Sequence, residues 1–130
     1  MDVRQRIERP ADAVYAFAAD PSHLPLWAAG LSGSIEQVDG EWLAQSPMGL
    51  VTVRFAPRNE DGVLDHTVVL PDGEAVHNRL RVRPDGAGCL VVFTLLRRPG
   101  VSQRELDHDE AAVRADLARL RDVMEGTATG

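Results

Sequence analysis

Residues 10–31, PADAVYAFAADPSHLPLWAAGL, constrain the fold more than any other stretch of the chain. Pro10 suits the first turn of a helix, where its missing N–H costs nothing, and Asp12 favours the positive helix end. Val14, Phe17 and Ala18 form the apolar stripe of that helix. Asp20-Pro21 reads as an N-cap followed by proline at the first position of a second short helix, which carries Trp27. Pro25 and Gly30 limit how far it can run. One short strand, Val3–Glu8, precedes this unit; a run of hairpins and then one long helix follow it. That order predicts a container, a curved antiparallel sheet gripping a helix with space left between them.

From Gly33 to Arg97 the apolar period is two, with turn residues at regular intervals. Asp39-Gly40 is a strong hairpin signal. Ser46-Pro47-Met48-Gly49-Leu50, Leu70-Pro71-Asp72-Gly73-Glu74 and Arg83-Pro84-Asp85-Gly86-Ala87 share a pattern, proline and then a glycine available for positive φ. Three-residue loops of this kind would pair the residues that flank them. Leu70 then faces Glu74, His66 faces Asn78 and Asp65 faces Arg79. In the earlier hairpin Leu43 faces Val53, and Trp42 faces Arg54 in a surface cation–π contact. Faces follow from register. Leu64, His66, Val68 and Leu70 share the inner face with Val76, Asn78, Leu80 and Val82, as do Leu43, Val51, Val53 and Phe55. Asp65, Thr67, His77, Arg79, Arg81 and Arg83 face outward, a solvated strand face with Asp65–Arg79 as a weak ion pair. Cys89–Leu96 is apolar on both faces, so it is either central and doubly covered or meets another subunit.

Pro99-Gly100 breaks the chain, and Ser102 with Glu105 forms a capping box. Leu106, Val113, Leu117, Leu120 and Met124 then recur at helical spacing. A helix from Gln103 to Glu125 spans roughly 35 Å, enough to cross a whole sheet. Residues 1–125 read as one domain and Gly126–Gly130 as a frayed polar tail. A chain of 130 residues supports one core. Aromatics are only 5%, so Leu, Val and Ala do most of the packing.

Composition excludes several function classes. A net charge of −6 argues against nucleic acid and anionic membranes, which need a basic footprint. No apolar run suits a signal peptide or a membrane span, which predicts a cytoplasmic protein. The lone Cys89 leaves no internal disulfide or cysteine-based zinc site. His23, His66, His77 and His108 lack ligand spacing, and register puts His66 and His77 on opposite faces, so no metal is expected. Gly86-Ala87-Gly88 precedes a strand instead of opening a helix, which rules out a dinucleotide fingerprint; no cofactor is expected.

His66 and Asn78 are the strongly polar residues on an otherwise apolar inner face. A buried polar group without a partner costs about 1–3 kcal/mol. Either they form a donor–acceptor pair aimed at a ligand, with His66 as candidate general acid or base, or they satisfy each other or a buried water. Trp27 either roofs a cavity or packs the core.

At this point the chain resembles the START-like helix-grip superfamily, SRPBCC, which includes polyketide cyclases and plant pathogenesis-related allergens. The residues that carry the resemblance are the N-terminal strand, Pro10–Tyr15, Asp20-Pro21 with Leu26-Trp27, Gly62–His66, Val92–Gly100 and Val113–Glu125. It spans residues 2–125. It implies an α+β helix-grip fold, seven curved antiparallel strands wrapped on a long C-terminal helix with two short helices between strands 1 and 2. It also implies a ligand cavity between the concave sheet and that helix. The expected contents are a small apolar or amphipathic molecule. The expected lining is Trp27, Leu31, Leu43, Val53, Phe55, His66, Val68, Asn78, Leu80, Leu117, Leu120 and Met124. A carrier or sensor is the first reading. A cofactor-free cyclase- or dehydratase-like enzyme using His66 is the second, and a protein-interaction module the third. The chain is expected as a monomer or homodimer.

Overall fold

The structure, a computed structural model, describes residues 1–28, 35–46, 49–96 and 99–126. The chain runs β1 (Asp2–Ile7), α1 (Ala11–Ala18), a short 3-10 turn (Pro21–His23) leading into α2 (Leu24–Trp27), β2 (Ile35–Val38), β3 (Glu41–Ser46), β4 (Gly49–Phe55), β5 (His66–Val69), β6 (Ala75–Asp85), β7 (Gly88–Thr94) and α3 (Gln103–Glu125). The seven strands form one curved antiparallel sheet in the order β1-β7-β6-β5-β4-β3-β2. This is the helix-grip fold. Because β1 pairs with the last strand, residues 10–28 are carried across the sheet before the meander begins.

Local chemistry places the helix ends. Asp20 accepts from the Ser22 N–H at 3.0 Å and caps the turn that opens with Pro21. Ser102 Oγ accepts from the Glu105 N–H at 3.1 Å, and its hydroxyl meets the Glu105 carboxylate. Gly126, expected in the tail, instead closes α3 as a left-handed C-cap at φ 71°. Leu31, Pro47, Met48 and residues 127–130 lie outside the described residues.

Register settles the faces. The Pro71-Asp72-Gly73 loop has three residues: Leu70 N–H donates to Glu74 O at 2.8 Å, and His66 stands opposite Asn78. The other two loops differ from expectation. Ser46 pairs with Gly49, which leaves a two-residue connection, so Trp42 faces Val53 and Leu43 faces Thr52. An even loop shifts pairing by one and reverses every side chain on β3. Leu43 therefore leaves the inner face, and Ala44, fully buried, takes its place. The Trp42–Arg54 contact is lost with it, because Arg54 stands outward and pairs with Glu41 at 3.1 Å. At the β6–β7 turn Pro84 pairs with Cys89 and Asp85 with Gly88, so Gly86-Ala87 alone connect them.

β7 is central, between β1 and β6. Cys89 and Val91 face the core, whereas Leu90 and Val92 face outward between Arg4 and Arg6 on one side and Arg81 and Arg83 on the other. Arginine stems can cover such apolar residues while their heads stay in water. Asp65 does not pair with Arg79 as expected. Its carboxylate accepts from the Leu80 N–H at 3.0 Å and from Arg81 at 2.9 and 3.1 Å. Residue 65 lies just before β5, where its side chain replaces a ladder bond and is drawn toward Arg81.

The core joins Ile7, Val14, Leu64, Leu80, Leu117 and Leu120, all nearly or fully buried. Val113, Leu117, Leu120 and Met124 of α3 make the other wall, as their spacing predicted. Among the described residues no helix is long and apolar enough to cross a membrane.

Candidate functional site

Between the sheet and the helices lies a cavity of about 190 Å³. Its floor comes from four adjacent strands, with Val53 on β4, His66 and Val68 on β5, Asn78 on β6 and Phe93 on β7. Leu24, Trp27 and Ala28 close one side, and Val113, Asp116 and Leu117 of α3 form the roof. The short side chains of Val53 and Val68 on the floor and Ala28 at the side leave space that larger ones would fill. A wider groove of about 570 Å³ lies elsewhere, between α1 and residues 59–62, and shares none of these lining residues.

His66 is the most constrained polar group in the cavity. Its Nδ1 lies 3.0 Å from the Leu64 carbonyl oxygen. A carbonyl oxygen can only accept, so Nδ1 carries the proton and the neutral ring keeps Nε2 as an acceptor. Phe55 lies against the imidazole at 5.1 Å between ring centres, and Phe93 meets it edge-on at 6.4 Å. Burial pushes the His66 pKa below its ordinary value, against the opposing pull of the Leu64 carbonyl and Asp65. The cavity therefore presents a neutral imidazole at pH 7.

Asn78 stands opposite His66, yet no hydrogen bond joins their side chains, and among the described residues the Asn78 amide has no protein partner. Trp27 lines the cavity beside it. The residue is 5% exposed, and its Nε1–H is itself covered and has no acceptor among the described residues. Such a donor costs about 1–3 kcal/mol when left unpaired. Asp116 adds a carboxylate to the roof, held 3.3 Å from Arg119, which also donates to the Trp27 carbonyl at 3.1 Å. Among the described residues no group of three His, Cys, Asp or Glu side chains could hold a metal.

Of the residues expected around a ligand, Trp27, Val53, His66, Val68, Asn78 and Leu117 meet in this cavity. Phe55 reaches it only through the His66 ring. Leu80, Leu120 and Met124 are buried in the core, and Leu43 faces the other side of the sheet. Leu31 lies outside the described residues. Sequence reasoning missed Leu24, Ala28, Phe93, Val113 as lining and Asp116. Three and four residues separate Asp116 from Val113 and Leu120, which places it at the edge of the apolar stripe, a signal that could have found it. Leu24 precedes Trp27 by one helical turn. Phe93 carried no signal, because its strand is apolar on both faces.

Several solved structures share this architecture. The protein XoxI from Bacillus cereus superposes with a TM-score of 0.72 at 13% identity, covering 95% of this chain and 93% of that one. The Aha1 dimer from Colwellia psychrerythraea gives 0.74 at 13% identity over 96% and 95%. CalU16 from Micromonospora echinospora gives 0.64 at 19% identity over 98% and 75%. At such identities the likeness speaks for the fold alone. No curated protein sequence matches the chain. The family model described as polyketide cyclase / dehydrase and lipid transport matches residues 1–125. With that match over nearly its whole length, the chain belongs to the polyketide cyclase / dehydrase and lipid transport family of SRPBCC-type, helix-grip proteins.

Proposed function

We propose that this protein binds one small, mostly apolar molecule in the space between sheet and α3, as a carrier or sensor. The observation that supports this best is an apolar cavity lined by two polar side chains, the neutral His66 imidazole and the Asn78 amide, the latter without a protein partner among the described residues. Ligand sites are typically concave and apolar with a few placed polar groups, and this one has that composition. Titration with naphthalene-based fluorescent probes tests the reading. Wild type is expected to enhance their emission saturably, and a folded His66→Ala to bind at least several-fold more weakly. Absence of binding in wild type, or unchanged affinity in the variant, counts against the site.

A second reading, a cyclase- or dehydratase-like lyase, is favoured by one observation. Asp116 lines the same cavity as His66, so a carboxylate accompanies the neutral imidazole. An acid and a base within one site are what proton-transfer chemistry needs. The assay is turnover of a reactive poly-β-ketone or a hydratable enone, compared with folded His66→Gln and Asp116→Asn. Turnover lost in both variants would replace the carrier reading. The interaction-module reading has less support, since β7 is central and flanked by arginines.

A further inference from the structure

We propose that the ligand is a neutral compound of one ring, or two fused rings, bearing a hydroxyl group, and not a long acyl chain; this rests on the ligand-binding reading above. Size is the first argument. An apolar protein cavity of about 150 Å³ holds benzene, whereas sites for drug-sized ligands span about 300–1,000 Å³. The cavity here, about 190 Å³, has room for a ring and a few further atoms. An extended lipid chain would leave most of its length outside.

Polar complementarity is the second argument. The Asn78 amide lines the cavity and has no protein partner among the described residues, whereas the Trp27 Nε1–H is itself covered and does not open onto the space. The Leu64 carbonyl holds the proton of His66 on Nδ1, so Nε2 offers a lone pair. A hydroxyl can accept from an N–H donor and donate to Nε2 at once. A ketone meets only the donors, and a hydrocarbon meets neither set. Flat walls from Trp27, His66 and Phe93 favour a planar ring over an irregular aliphatic body.

Charge is the third. Asp116 is the one acidic side chain among the lining residues and is paired with Arg119, and the protein carries −6 overall. No lysine or arginine is among the lining residues, and Arg119 behind them is already held by Asp116, so a carboxylate ligand would be buried without a counter-ion and the ring compound must be neutral.

The test is titration of the ¹⁵N-labelled full chain with 4-ethylphenol, 4-ethyltoluene, 4-ethylbenzoate and dodecanoate, followed on the side-chain amide resonances, with that of Asn78 assigned by Asn78→Ala. 4-Ethylphenol is expected to bind at least tenfold more tightly than 4-ethyltoluene or 4-ethylbenzoate, and to shift the Asn78 amide protons downfield where 4-ethyltoluene does not. Equal affinity for the phenol and its methyl isostere overturns the hydroxyl requirement while leaving ligand binding intact. Tighter binding of dodecanoate overturns the ring assignment. If none of the four binds, the ligand-binding reading fails together with this one.

Discussion

His66 and Asn78 stand directly opposite each other on β5 and β6 without a hydrogen bond between their side chains; the His66 Nδ1–H goes instead to Leu64 O at 3.0 Å. Two polar residues on an apolar face would normally satisfy one another. Here the protein spends one backbone carbonyl on fixing a tautomer and leaves the facing amide to the cavity.

The tautomer predicts a pH dependence. Burial lowers the folded pKa of His66 below its unfolded value of about 6.5. The unfolded chain then binds the proton more readily, so His66 favours the folded state above about pH 6.5 and that contribution is lost as pH falls toward the folded pKa. Urea unfolding at pH 5.0 and 7.5 is expected to give a smaller difference for His66→Gln than for wild type. An identical difference would mean that the imidazole stays solvated.

Asp65 should titrate in the acid range. The Arg81 guanidinium beside it, aided by the Leu80 N–H, holds its pKa below the ordinary carboxylate value. Its contribution is therefore complete above about pH 4 and lost as pH falls through the lower folded value. A double-mutant cycle at pH 7 is expected to give about 0.5–1 kcal/mol of coupling for Asp65–Arg81, because both side chains are partly exposed, and close to none for Asp65–Arg79. The reverse ranking would restore the directly opposite pair.

The β3 register is open to a two-variant comparison. Ala44 is fully buried, and Leu43 lies on the outer face opposite Thr52. Ala44→Asp buries a charge and is expected to cost about 3 kcal/mol or more; Leu43→Asp should cost about 1 kcal/mol. Chemical denaturation ranks them, and a larger effect at Leu43 would return the strand to the three-residue-loop register.

Gly62 is held by its surroundings as well as by its backbone. It has φ 70°, and a Cβ there would collide with the Val82 carbonyl oxygen, while its own carbonyl accepts from the Val82 N–H at 2.9 Å. Gly62→Ala is expected to destabilise by about 2–4 kcal/mol, combining left-handed strain with a disturbed hydrogen bond. Gly73→Ala is the control. It has a similar φ of 89° and open space around the new methyl, so it should lose about 1–2 kcal/mol. Equal losses would leave strain alone as the cause.

Filling the cavity separates binding from folding. Val68→Phe adds a ring to the floor at a cost of about 1–3 kcal/mol from overpacking. Probe affinity is expected to fall at least tenfold while the circular dichroism spectrum stays native. Undiminished binding would move the site elsewhere, the groove beside Tyr15 first.

Local chemistry made much of this protein legible in its sequence. Asp20-Pro21, Ser102 with Glu105 and the stripe from Val113 to Met124 act within one or two turns of the chain, so the helices could be read directly. The Pro71-Asp72-Gly73 loop likewise put His66 opposite Asn78. Where a Pro-Gly pattern admits either two or three connecting residues, parity is decided by which face of the strand finds the core. That choice turned Leu43 outward and Ala44 inward, and aligned Pro84 with Cys89. The cavity is a tertiary outcome too. It depends on how far α2 and α3 stand off the sheet. That spacing brings Asp116, Phe93 and Trp27 to the same space as His66. Sequence periodicity assigns a residue to a face, but only the packing of distant elements decides whether that face meets a neighbour or an empty volume.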